Sequence, residues 1–525
     1  MSLFVIWSVA YCDHSLVPEL GRIPAAFVPM SGGRLFEAQC GAVPRTNGTR
    51  LILAVPDDYY VDSFDRDALA SLGVQLAPVP ATHGFVESLL VFVSAAGTSD
   101  EELRVLPGAE LLRGIPYGST DLIALFTGMT CPDGGSGPAA TARSNRGIAG
   151  DALDRAYFSF SSSALLLQCL QAADGSFPDA VAAYNRLRPL RQLHVRSERR
   201  GPESDVGWQI ATPRSFNDVR VMRNTVRKSS ERKDKLLAEA SWYSRIPVEL
   251  ASYVPRLIRF GHDLHTAWYE TEYIPRAPLS SAYVFGWHSE TPWRSVFRAC
   301  DEWLTACSSF RPRSTECDLQ TMDLLYAQKT FKRLERFASS TGTSLVAGWS
   351  LNGVSLPSLQ RIALDAVMAV PSPSTADLCI VHGDLCFSNI LYDFETQSLR
   401  LIDPRGLDGK GRQTIYGDQR YDIAKLYHSV VGLYDFIIAG RYHLKFHTRN
   451  QVQFELPRCR QVADVQALFF EMSFNGHTAL TAASLPVSIL LFLSMLPLHS
   501  DAPVRQQALL ANALRLYSHM VTGAP

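Results

Sequence analysis

The chain has 525 residues, with 50 Lys and Arg against 51 Asp and Glu, for a formal net charge of −1. Hydrophobic residues make up 46% and charged residues 19%, which excludes a disordered or collagen-like chain and allows a large core without disulfides. The near-neutral balance lacks the basic footprint of a protein built to hold nucleic acid, and at roughly 150 residues per domain the length predicts two to four domains.

Apolar runs at Leu3–Ala10, Leu51–Val55, Gly73–Leu76, Leu89–Val93 and Leu103–Leu106 read as short strands between helical patterns, a layered α/β/α arrangement. Ser31–Gly32–Gly33 reads as a tight turn, Asp57–Asp58 as a loop cap after a strand, and Ser159–Ser163 as a polar turn. Residues 129–150, rich in Gly, Ala and Ser, read as a surface loop. The segment Phe216–Lys228 predicts two short strands around a turn at Arg223–Asn224. Residues 231–244 predict a helix stopped by Pro247, and Leu257–Phe260 and Trp268–Ile274 predict further strands. From Ser280 the pattern is mostly helical, interrupted by a strand pair at Ile390–Tyr392 and Leu399–Ile402. The most apolar run, Leu485–Leu498, is shorter than the ~20 residues a membrane span needs and carries Pro486 and Pro497, so it reads as a buried helix. His499 after it reads as a core or helix-end histidine. The N-terminus has no basic region before its apolar stretch, so no signal peptide is expected. None of the ten cysteines pairs as C-x-x-C, which predicts reduced thiols in a cytoplasmic protein.

Lysine is absent from residues 1–227, and all eight lysines follow from Lys228 onward. Lys228 ends the strand-like Thr225–Lys228, and Glu239 lies eleven residues later on the predicted helix. A lysine–glutamate pair of this kind fixes an ammonium against nucleotide phosphates. Lys233 and Lys235 read as exposed helix charges. The densest chemistry lies in residues 379–406, where Asp384 follows a strand-like run, Asn389 comes five residues on, and Asp403 ends the second strand of a hairpin. A loop–hairpin–loop brings the three to one point, and their hard oxygens suit Mg²⁺ shared with phosphates. The spacing is that of a kinase catalytic loop.

The run His382-Gly383-Asp384 with Asn389 and Asp403 resembles the aminoglycoside phosphotransferase and choline kinase-like family. The resemblance implies an α+β protein-kinase-like, two-lobed domain, with residues 213–278 as the smaller lobe and 279–525 as the helical lobe. It implies that Asp384 is the catalytic base, that Asn389 and Asp403 hold Mg²⁺, and that Lys228 and Glu239 serve ATP. His382 would brace the loop, Asp422 in YDIAKL would tie it to a helix, and the Tyr269–Ile274 backbone would face the adenine. The start Gly21–Gln39 is similar to that of a nucleotidyltransferase, which implies such a domain over 1–212. Residues 7–20 contain no glycine, however, Gly108–Ala109 stands where a Gly-Asp metal motif belongs, and Trp208–Gln209–Ile210 where a W-x-D belongs. A fold without its usual chemistry is therefore expected. Lys228–Pro247, Glu270–Gly286 and Tyr421–Ile437 resemble two-domain proteins of bacterial capsule gene sets. The implied activity is ATP- and Mg²⁺-dependent phosphorylation of a sugar or amino-alcohol hydroxyl for a surface polysaccharide. A non-catalytic nucleotide- or sugar-binding scaffold and a bifunctional kinase/nucleotidyltransferase are the alternatives.

Overall fold

A computed structural model of the chain describes all residues except 1, 13–16, 31–32, 44–47, 81–84, 96–99, 112–119, 128–155, 174–175, 197–216, 223, 314–323 and 524–525. The expectations for Ser31–Gly32, for residues 129–150 and for Trp208–Gln209–Ile210 fall outside the described residues. Two compact units are present: Met1–Val17 with Arg22–Gly207, and Pro18–Gly21 with Trp208–Pro525.

The first unit is built on a seven-stranded sheet. Its order is Val74–Val79, Thr49–Pro56, Ser2–Trp7, Glu102–Pro107, Ala156–Phe160, Leu122–Thr127, Arg191–Arg196. Pairing is parallel except on both sides of Ala156–Phe160, which runs antiparallel to its neighbours. Alternate residues of Ser2–Trp7 feed two separate cores, Leu3, Val5 and Trp7 on one face and Phe4 and Ile6 on the other, so the sheet is covered on both sides. Leu89–Val93, expected as a strand, lies in the helix Phe85–Ala95. Its buried residues Val86, Leu89, Phe92 and Val93 recur at helical spacing, which the flanking apolar residues hide in the sequence. Ser159 is likewise buried in a strand rather than in a turn, and Ser162 caps the helix Ser163–Ala172 by accepting from the Leu165 N–H at 3.1 Å. Asp57 and Asp58 sit on an exposed turn, where Asp58 pairs with Arg22 at 3.2 Å.

The second unit opens with a four-stranded antiparallel sheet in the order Asn217–Met222, Thr225–Ser230, Ala267–Glu272, Leu257–His262. The helix Lys233–Arg245 packs on it and buries Leu236, Ala240, Trp242 and Tyr243. The remainder is mainly helical. The helix Glu290–Ser308 buries one stripe, including Trp293, Phe297, Cys300, Trp303 and Cys307. Ser484–Met495 is buried almost throughout and lies against Gln419–Val430 and Pro503–Thr522. The hairpin Ile390–Asp393 with Ser398–Leu401 is present. The helical part also carries a four-stranded sheet that the sequence pattern did not reveal, in the order Val354–Leu356, Trp349–Leu351, Gln451–Glu455, His443–Thr448. Two of its strands are three residues long, too short to show an alternation. Among the described residues no helix is long and apolar enough to cross a membrane.

Candidate active site

The loop after Leu378–Ile380 is fixed from below by a helix. Asp422, in the first turn of Gln419–Val430, accepts from the backbone N–H of His382 at 2.7 Å and of Gly383 at 2.8 Å. Burial pushes the Asp422 carboxyl up to about 7, while those two donors act in the opposite sense, favouring the anion. His382 accepts from the Asp384 N–H at 3.3 Å through Nδ1, and its buried ring is driven down to about 4 by desolvation. It is a neutral brace at pH 7. Trp242 Nε1 donates to the Val381 carbonyl at 2.9 Å and ties the same loop to the Lys233–Arg245 helix.

Three sequence-predicted residues meet beyond this brace. Asn389 Nδ2 donates to the Asp384 carbonyl at 2.9 Å, so its amide oxygen is the end that can meet a cation. Ile390 pairs with Leu401 in the hairpin, and the Ile402 N–H donates to the Asn389 carbonyl at 3.0 Å. This register sets Asp403 next to the Asn389 turn. Asp403 has φ +59°, a left-handed conformation that Asp tolerates better than most side chains. Its N–H donates to the Tyr243 hydroxyl at 3.2 Å.

Lys228 and Glu239 close the other side. Lys228 Nζ lies 2.8 Å from Glu239 Oε2 and 2.9 Å from Asp403 Oδ2. The short eleven-residue interval suffices because the strand ends at Ser230 and the helix begins at Lys233. Burial works against the ammonium, but the carboxylates of Asp403 and Glu239 outweigh it and hold Lys228 above the usual lysine range. Asp403 is pulled the other way: burial raises its carboxyl, and Lys228 more than offsets this to leave it below the ordinary value. The Asp403 side chain remains 42% exposed, so it presents an anionic face to solvent.

Several members of the site were not visible in the sequence. Tyr269 stands opposite Lys228 in the sheet register and donates to Glu239 at 3.1 Å and to Asp403 at 3.3 Å. Lys425 lies three residues after Asp422 on one helix face and places Nζ 2.6 Å from Asp384 Oδ1. Lys235 is not a purely solvated charge, since it approaches Glu239 Oε1 at 3.5 Å. The expected adenine-facing backbone needs correction. Ala267–Thr271 is paired on both sides, so Tyr269–Thr271 cannot offer hydrogen bonds to a base, and the Tyr273 N–H is already given to the Asn224 carbonyl at 2.9 Å.

No group of three His, Cys, Asp or Glu side chains able to hold a metal ion occurs among the described residues. Asp403 and Asn389 offer one carboxylate and one amide oxygen, hard donors suited to Mg²⁺, which commonly takes its remaining ligands from water and bound phosphates.

In the first unit the crevice of a mixed α/β sheet lies where the strand order reverses, at the carboxyl ends of Ser2–Trp7 and Glu102–Pro107. Among the described residues, the protein's own groups meet closely at its base. The Gly108 N–H donates to the Trp7 carbonyl at 2.6 Å, and a Cβ on Gly108 would stand 2.6 Å from that of Ser8. Ser8 Oγ accepts from the Ala26 N–H at 2.9 Å, and buried Gln39 donates to the carbonyls of Gly108 and Glu110 at 2.9 and 2.8 Å.

No family model matches the sequence, and no curated relative matches it. Among solved structures the chain is similar to an aminoglycoside-3'-phosphotransferase of type VIII, at 19% identity over 52% of this chain and 94% of that one, with a TM-score of 0.30. It is also similar to a thermostable aminoglycoside phosphotransferase in ternary complex with ADP and hygromycin B, at 12% identity over 59% and 95%, with a TM-score of 0.35. A third likeness is to 4-diphosphocytidyl-2C-methyl-D-erythritol synthase, at 14% identity over 38% and 88%, with a TM-score of 0.22.

Proposed function

We propose that the second unit is a protein-kinase-like phosphotransferase that moves the terminal phosphoryl of ATP to a hydroxyl of a small molecule. The observation that carries this reading is the buried Lys228–Glu239 pair joined to Asp403, beside a braced loop that presents Asp384. Lys228, held by Glu239, would meet the phosphates as a point charge. Asp403 and the Asn389 amide oxygen would hold Mg²⁺, which when bound neutralises charge on the phosphates. Asp384, 30% exposed and oriented by Lys425, would accept the proton of the acceptor hydroxyl. As that proton leaves, the acceptor oxygen bonds to the γ-phosphorus and the bond to the ADP oxygen breaks.

The first unit is read as a nucleotidyltransferase-like layer that has lost its usual chemistry, supported by the close contacts of Ser8, Gly108 and Gln39 at the strand-order reversal and by Ala109 after Gly108. A cytoplasmic setting and a place in surface-polysaccharide synthesis belong to the same proposal. A panel of sugars and polyols with γ-labelled ATP tests it. Label should pass to one class of hydroxyl compound and cease when EDTA removes the metal. Asp384→Asn should lower turnover about 10²–10⁴-fold while nucleotide affinity stays within about threefold. Undiminished turnover in that variant would refute the base assignment.

A further inference from the structure

Asp403 is held at three points. Its N–H donates to the Tyr243 hydroxyl at 3.2 Å, which steadies a left-handed backbone at φ +59°. Its Oδ2 meets Lys228 Nζ at 2.9 Å, and its Oδ1 accepts from the Tyr269 hydroxyl at 3.3 Å. The two grips on the carboxylate differ in kind, since Lys228 brings a full positive charge and Tyr269 a neutral donor.

Tyr269 has little freedom to move. It stands in the sheet between Lys228 on one strand and Phe260 on the next, is buried, and packs its ring 5.8 Å from that of Tyr243. A buried hydroxyl needs a partner, and this one has two: Glu239 Oε2 at 3.1 Å and Asp403 Oδ1 at 3.3 Å. It carries one proton, so it serves one carboxylate fully at a time. Glu239 keeps Lys228 at 2.8 Å and Lys235 at 3.5 Å whichever it serves. Turning the hydroxyl to Glu239 therefore orphans no charge and releases Asp403 Oδ1.

We infer that Tyr269 is a positioning residue for the divalent cation: its hydroxyl holds Oδ1 of Asp403 apart from Lys228 and yields that oxygen to the cation by turning to Glu239. This rests on the phosphotransferase reading and deepens it. Without the hydroxyl, Lys228 alone among the described residues grips the Asp403 carboxylate, which can then rotate both oxygens onto the ammonium. A divalent cation would have to displace a full charge there instead of a neutral donor. The proton stays on Tyr269 throughout, and only its hydrogen bond passes from one carboxylate to the other.

The test is titration calorimetry of AMP-PNP on the full chain, once with Mg²⁺ and once with EDTA, and the ratio of the two affinities is the gain the cation gives. In Tyr269→Phe, which keeps the ring and its contact with Tyr243, that gain should fall about 10–100-fold while the affinity in EDTA stays within about threefold. With Asp403→Asn already present, Tyr269→Phe should change the gain no further. Lys332→Gln, an exposed change on the helix Lys329–Thr341, should leave it as in the native chain. A gain in Tyr269→Phe within about threefold of the native one, an equal loss of affinity with and without Mg²⁺, or a full effect of Tyr269→Phe on top of Asp403→Asn overturns the inference. A native chain that binds AMP-PNP no better with Mg²⁺ than with EDTA would strike the phosphotransferase reading, and the inference with it.

Discussion

Lys228 is buried with one fully buried carboxylate and one partly exposed, and each of the three charges is tolerable only because of the others. Lys228→Met leaves buried Glu239 charged without its nearest cation, with only the more distant Lys235 and the Tyr269 hydroxyl beside it, and should cost about 3 kcal/mol in urea unfolding at pH 7. Removing the stranded charge as well, in Lys228→Met with Glu239→Gln, should recover at least half of that loss, because the penalty lies in the orphaned ion and not in the missing contact. His382 gives a pH-dependent signal. Its folded value, about 4, lies below that of an unfolded histidine, so its contribution is present above about 6.5 and is lost as pH falls toward 4. The stability difference between the native chain and His382→Gln should therefore shrink by about 3 kcal/mol from pH 7 to pH 4, measured by denaturant titration at each pH.

The hairpin and its flanking turns hold the site together at the scale of elements. Gly406, at φ +65°, lets the chain after Asp403 press against the Lys233–Arg245 helix, where a Cβ would stand 2.3 Å from the Ala238 carbonyl oxygen. Gly406→Ala should destabilise by about 1–3 kcal/mol and lower turnover further than Lys332→Gln, since it pushes apart the elements that bear Glu239 and Asp403. Unfolding midpoint and labelled-phosphate transfer, read on the same sample, check both parts. The elements of this region were legible in the sequence because their signals are local: five residues join Asp384 to Asn389, and a six-residue connection separates two apolar strands. Tyr269 was not legible as a polar contributor, because its partner Asp403 is 134 positions away and only strand pairing places them together. Lys425 was missed for the same reason. Leu89–Val93 failed differently: a continuous apolar run carries no period, and the length of the helix around it decides the matter.

Across the whole molecule, all eight lysines belong to the unit that carries the Lys228 site, and Ser8, Gly108 and Gln39 make close polar contacts where the first unit's strand order reverses. With Asp384→Asn present to silence phosphoryl transfer, the full chain given nucleoside triphosphates and sugar phosphates should release no pyrophosphate above the buffer rate. Sustained release would restore the bifunctional alternative. The α/β layering of the first unit was legible from its apolar runs, whereas the close approach of Gly108 to Ser8 was not, because it depends on backbone placement and not on residue type alone.

The tetrapeptide Pro18–Gly21 gives the division into units an unusual consequence. Leu20 is fully buried, its carbonyl accepts from the Trp287 N–H at 2.8 Å, and Gly21, at φ +70°, passes so close to the Trp287 carbonyl that no side chain fits. A gene trimmed to begin at codon 208 would thus encode a product missing a piece of its own interior, with the Trp287 amide deprived of its acceptor. Dissection of the two halves calls for a graft that carries those four residues across, and recombination at the border would have met the same obstacle.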